Sequence, residues 1–193
     1  MSYEYDAFFS YKRDPQSDSW HETVKEKLLF WLRMELHRPD VRIFFDTEDI
    51  RTGARWQQKL ADSLRRSKCI VCVWSPLYFQ SKWCVSEWRT FLEREKACQR
   101  ELVIPAAYHD GESFPGEATA KQMADFSNYT SIMPRFWDTE LAVEFENKRL
   151  KSFAKDLATL IKNSPTFDPH FPLIEAENHD VMQERAIDRI AGV

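Results

Sequence analysis

Cys69-Ile70-Val71-Cys72-Val73-Trp74-Ser75-Pro76 is the stretch that decides the architecture. Its first six residues are apolar without a break and rich in β-branched types, which suits a strand covered on both faces rather than one that alternates between core and water. Proline cannot donate to a ladder, so Ser75-Pro76 closes the strand. A strand buried on both faces needs helices on either side of its sheet, and the flanking sequence supplies them. Upstream, Trp56, Leu60 and Leu64 recur at helical spacing; downstream, a helix is predicted from about Lys82 to Lys96.

The same alternation extends along the chain. Tyr5-Asp6-Ala7-Phe8-Phe9-Ser10 reads as a first strand, followed by a polar loop from Tyr11 to Asp18. Ser19 and Glu22 have capping-box spacing, and Trp20, Val24, Leu28, Trp31 and Leu32 mark one helical face that ends before Pro39. Val41 to Phe45 is a second strand and Leu102 to Ala107 a fourth, with Pro105 expected at an edge or an early strand end. A short helix around Ala120 to Phe126, a fifth strand near Tyr129 to Ile132 and a long helix from Thr139 to Lys162 complete the pattern. The fold class is therefore α/β, a flavodoxin-like open parallel sheet of five strands flanked by helices over residues 1–162. Residues 163–193 read as a C-terminal extension with three prolines and a short helix from His179 to Ile190.

Composition narrows the function classes. The 193 residues are 43% hydrophobic and 30% charged, ordinary for a globular domain, and the net charge of −4 lacks the basic face of a nucleic-acid binder. No apolar stretch approaches a membrane span and no signal region opens the chain, so a cytoplasmic location without membrane contact is expected. Cys69 and Cys72 spell C-x-x-C, but inside an apolar strand rather than at the start of a helix, which points to packing rather than redox chemistry. No Cys/His cluster has zinc spacing, and neither a metal nor a bound cofactor is expected.

Open sheets of this kind bind ligands at the carboxyl ends of their strands. There the loop after strand one begins Ser10-Tyr11-Lys12-Arg13, and the loop after strand three begins Ser75-Pro76-Leu77-Tyr78. Three familiar chemistries fail on these residues. Ser10 to Asp14 contains no glycine for a dinucleotide fingerprint, strand three ends without a phosphoacceptor aspartate, and no G-x-S-x-G elbow exists. Ser81-Lys82-Trp83-Cys84-Val85-Ser86-Glu87-Trp88 says more. On a helix starting near Ser81, Glu87 shares a face with Trp83 and Cys84 at the border of the buried stripe Trp88, Phe91 and Leu92. Residue spacing alone leaves Glu87 either a solvated helix glutamate or a carboxylate beside an aromatic plane at the open end of the sheet.

Three blocks, in order, carry a family resemblance between Tyr5 and about Ile161. They are Tyr5-Asp6-Ala7-Phe8-Phe9-Ser10-Tyr11; Phe44-Phe45-Asp46 running into Asp49-Ile50-Arg51-Thr52-Gly53 and Trp56; and Ser75-Pro76-Leu77-Tyr78 followed by Ser81 to Glu87. Together the sequence resembles a Toll/interleukin-receptor homology (TIR) domain, especially the bacterial and plant kind. The S-x-W-C-x-x-E pattern ending at Glu87 is its most specific part, and the Asp46–Trp56 segment is similar to the family's BB loop. The resemblance implies either cleavage of the nicotinamide–ribose bond of NAD, with NAD as substrate, or a scaffold role through self-association. Retention of the glutamate favours the enzyme, with Glu87 catalytic and the product either ADP-ribose or a cyclic form. Phe9, Ser10, Lys12 and Arg13 at the first switch-point loop, where backbone amides and a cation can meet a pyrophosphate, together with Asp46 and Trp83, are the candidate substrate contacts. For Lys12 and Arg13 plain surface exposure competes with that role, for Trp83 helix-start packing does, and Asp46 would otherwise orient the BB loop. A standalone member in immune or antiphage defence would work with a separate sensor or effector protein.

Overall fold

The computed structural model describes residues 2–46, 54–174 and 176. Five parallel strands form one sheet in the order β2-β1-β3-β4-β5. They are β1 (Tyr5–Tyr11), β2 (Ile43–Phe45), β3 (Ser67–Trp74), β4 (Val103–Ala107) and β5 (Ala124–Asp125). Between them lie α1 (Asp18–Leu36), α2 (Ala54–Arg65), α3 (Pro76–Gln80), α4 (Lys82–Cys98) and α5 (Gly116–Thr119). α6 (Glu140–Glu144) and α7 (Lys151–Lys162) follow, joined by a widened π turn over Phe145–Leu150. The sequence therefore specifies the expected α/β class, and the unbroken apolar run of β3 sits mid-sheet, hydrogen-bonded to β1 and β4.

Side chains alternate across β1, and this alternation divides the molecule. Phe9 and Tyr11 point to the α1 layer, where Tyr11 stacks on His21 at 4.5 Å; Ser10 points to the α3–α4 layer. The predicted α1 face is buried at Trp20, Val24, Leu28 and Leu32, packed against α7 through Leu157 and Ile161. Full burial of such a leucine contributes about 2 kcal/mol.

Several local expectations change. Ser17, not Ser19, is the N-cap of α1 and makes no side-chain cap bond; Ser19 already lies within the helix, so the capping box does not form. The short helix falls at Gly116–Thr119 and the fifth strand at Ala124–Asp125, both earlier than their spacing predicted. Tyr129 instead ends a 3-10 turn whose carbonyl accepts the Trp20 indole N–H at 3.0 Å, and its ring stacks on Phe145. Side-chain anchoring to α1 thus outweighs the strand propensity of this segment. Pro105 is not in an edge strand, because β5 lies beyond β4. β5 pairs only with Ala106 and Ala107, and Tyr108 N–H bonds back to Trp74. By alternation the nitrogen of Pro105 faces the outer flank below the β5 pairing, where no ladder bond is lost.

The segment after α7 does not leave the domain at once. Asn163 O accepts from Arg100, Phe167 packs edge-on against Tyr3, and Ile174 N–H donates to Thr90 Oγ1 at 2.9 Å. The buried Arg94 is the anchor of this strap. Its guanidinium donates to Leu64 O at the end of α2 and to Pro172 O, and lies over the rings of Phe91 and Phe171. Burial lowers its pKa to about 10. The proposed helix at His179–Ile190 lies outside the described residues.

Candidate functional site

At the carboxyl end of the sheet, β1 delivers Ser10 and the turn after β3 delivers Tyr78. Ser75 caps α3 by accepting from Tyr78 N–H, with Pro76 at the first helical position, where its missing N–H costs nothing. Ser81 then caps α4 by accepting from Cys84 N–H, which places Cys84, Glu87 and Trp88 on the inward face. Cys84 Sγ reaches Tyr11 O at 3.5 Å, so the first turn of α4 is seated on the end of β1.

Glu87 is consequently only 5% exposed, unlike an ordinary helix glutamate. Ser10 Oγ donates to Glu87 Oε2 at 2.6 Å and lies 2.8 Å from the Tyr78 hydroxyl. Ser10 has one proton, and the carboxylate takes it; the Tyr78 hydroxyl is therefore the donor in the second contact, sharing its proton with Cys84 O at 3.0 Å. Burial above all, reinforced by the acidic groups around it, raises the Tyr78 pKa far above the ordinary phenol value. The relay Tyr78–Ser10–Glu87 fixes one carboxylate oxygen.

The remaining predicted residues fall in three places. Asp46, at the end of β2, accepts the Trp56 indole N–H at 3.2 Å, and its carbonyl lies 3.4 Å from the Tyr11 hydroxyl. Trp56 packs edge-on against Trp83 with ring centroids 5.0 Å apart. Asp46, Trp56 and Trp83 thus form a chain that ties the two ends of the BB-loop segment to α4; positions 47–53, with Gly53, lie outside the described residues. Lys12 and Arg13 are half-buried in the loop after β1. Phe9 is apart from the others: its ring is 2% exposed, against Tyr11 and Phe45 on the opposite sheet face from Ser10. Tyr78 is the partner that spacing did not single out, although it stands in the quoted block Ser75-Pro76-Leu77-Tyr78. Among the described residues no cluster of three metal-ligating side chains occurs, and no helix is long and apolar enough to cross a membrane. Cys69 and Cys72 are fully buried in β3, and burial raises both thiols well above their usual range.

The fold is a doubly wound parallel α/β sheet with a buried carboxylate at its switch point, the place where open α/β sheets commonly take their ligands. The family model for the TIR domain matches residues 8–136. The chain belongs to the TIR domain family. A TIR domain-containing protein of Arabidopsis thaliana is 30% identical over 88 residues, covering 46% of this chain and 33% of that protein. The chain thus spans about a third of that relative's length. Among solved structures, the TIR domain of the Toll-related receptor TRR-2 from Hydra magnipapillata aligns with a TM-score of 0.47 and 22% identity, covering 74% of this chain and 99% of the other. The TIR domains of the activated Roq1 resistosome, which directly recognises the pathogen effector XopQ, align with a TM-score of 0.38 and 16% identity over 98% of each chain.

Proposed function

We propose that this chain cleaves the nicotinamide–ribose bond of NAD, with Glu87 as the catalytic carboxylate. The observation that supports this reading best is the placement of Glu87, buried at the carboxyl end of the sheet with Oε2 oriented by Ser10. Nicotinamide leaves as a neutral molecule, taking the electron pair of the C–N bond, so little acid catalysis is needed. What remains is to stabilise an oxocarbenium-like ribose and to orient its hydroxyls, which a single pre-positioned carboxylate supplies. Water attacking the ribose carbon forms ADP-ribose and releases a proton that Glu87 accepts. Attack by an atom of the same molecule closes a cyclic product. Trp83, held against Trp56, offers a ring beside the carboxylate, and Lys12 and Arg13 offer cations for the pyrophosphate.

Self-association belongs to the same proposal. Phe30 and Met34, one turn apart on α1, and Leu141 and Val143 on α6 are about half exposed, an apolar surface suited to a second copy. The setting is a cytoplasmic defence response in which a separate sensor or effector protein acts with this chain. Nicotinamide release from NAD, followed by chromatography with purified protein, tests the reading. Turnover by the wild type and its loss in Glu87→Gln are expected; equal rates in the two proteins would remove Glu87 from the mechanism. No release by concentrated, self-associated protein would leave the scaffold role alone.

A further inference from the structure

Across the end of β1 from Glu87 lies a pocket of about 310 Å³, at the lower end of small-molecule sites. Lys12, Asp14, His21, Pro76, Tyr108 and Ile132 are among its lining residues. His21 sets its character. The ring is 3% exposed and its two faces are covered by Tyr11, at 4.5 Å and 28°, and Tyr108, at 5.2 Å and 20°. It therefore meets the pocket by an edge. Nδ1 lies 2.8 Å from Ser17 O, and a carbonyl only accepts, so Nδ1 carries the proton. Nε2 is left as an acceptor, and among the described residues the Nδ1 bond is the ring's one hydrogen bond. Burial keeps the imidazole neutral, lowering its pKa to about 4.

We propose that this pocket is a base subsite that takes the adenine half of NAD, with the exocyclic amine donating to His21 Nε2. A neutral acceptor beside apolar walls selects a planar heterocycle carrying an N–H donor rather than a charged group. Pro76 and Ile132 supply flat apolar contact, and Tyr108 extends the aromatic wall. Asp14, whose Oδ1 accepts the Gln16 N–H, also borders the pocket and disfavours a phosphate inside it. Lys12 lines the same pocket and follows Ser10, the partner of Glu87, by two residues, so it is the cation assigned to the pyrophosphate. The subsite rests on NAD as the substrate of Glu87, and makes the enzyme selective for the dinucleotide over its nicotinamide half.

The test compares NAD with nicotinamide mononucleotide, which lacks the adenosine. His21→Phe keeps the stacked ring and removes Nε2; it should raise KM for NAD about ten-fold, the scale of one lost hydrogen bond to an enclosed polar group, with kcat little changed. Kinetics with the mononucleotide should not follow that rise. Ile132→Glu, at a position 53% exposed, should give the same split by replacing the apolar wall that the adenine ring covers with a solvated charge. Equal changes for both substrates, or none for either, would overturn the subsite. Titration of AMP followed by NMR stands apart from catalysis: shifts at the His21 and Tyr108 rings are expected, with the Tyr108 shift lost in His21→Phe. If the wild type releases no nicotinamide from NAD, the catalytic reading falls, and the AMP titration still decides the pocket.

Discussion

β1 reaches a buried carboxylate at each end, and the two are held in opposite ways. Asp6, near its start and 5% exposed, is surrounded by donors: Arg38 and Lys68 on Oδ1, the latter at 2.8 Å, and the Arg42 N–H on Oδ2 at 3.0 Å. Glu87, beyond its other end and equally buried, is oriented by the hydroxyl of Ser10, itself held by Tyr78. A carboxylate whose oxygens are taken up by cations and backbone stabilises a fold. Glu87, by contrast, is met by the hydroxyl of Ser10 at the carboxyl end of the sheet, where the proposed cleavage would draw on a carboxylate.

Substitution separates the two roles. Glu87→Gln keeps the shape that Ser10 needs, and should lower the rate of nicotinamide release about a thousand-fold, equivalent to about 4 kcal/mol, with the melting temperature nearly unchanged. Asp6→Ala should do the reverse: a loss of about 3 kcal/mol in urea unfolding from stranded cations, with KM for NAD retained. An Asp6 variant as inactive as Glu87→Gln, yet fully stable, would break the contrast.

His21 is a further buried ionisable group, and burial keeps it neutral. Its folded pKa lies near 4 against 6.5 for the free side chain, so between these values the unfolded chain binds a proton that the folded chain refuses. Its contribution to stability is complete above pH 6.5 and is lost as pH falls towards 4, by about 3 kcal/mol. The gap in unfolding free energy between wild type and His21→Phe, measured across that range, should move in favour of the variant as the pH drops. A gap that stays constant would show the ring titrating normally.

Smaller effects probe the relay itself. Ser10→Ala should cost about ten-fold in kcat by releasing Glu87 Oε2, worth about 1.5 kcal/mol. Tyr78→Phe removes a donor one bond further away, and a drop of about three-fold in kcat is expected, read from the same assay. A Tyr78 effect exceeding that of Ser10 would mean that the phenol acts on substrate directly.

Most of the architecture was legible because β3 carries an unbroken apolar run and α1 a helical periodicity, both of which tertiary packing reinforces. The errors cluster between β4 and α6, where elements are two to five residues long and single contacts, such as Trp20 with the Tyr129 carbonyl, decide the path. At the site, the sequence placed Ser10 and Glu87 at the same end of the sheet, but their hydrogen bond joins residues 77 positions apart. No local pattern encodes it. Phe9 shows the reverse limit: it neighbours Ser10 in the chain, and the pleat sends its ring to the other face. Asp46 was read either as a substrate contact or as a loop anchor, and its bond to Trp56 supports the anchor.

The strap after α7 carries a geographical consequence. By crossing over Arg94 and Thr90 it brings Leu173, Ile174 and Ala176 into a pocket shared with α2, Trp83 and Ser86. Leu173, Ile174 and Ala176 thus lie beside the residue preceding Glu87, away from the pole where α7 ends. A fluorophore attached at Leu173 would therefore sit on the face shared by α2 and the first turns of α4, and its signal would report on the Trp83 side of that face.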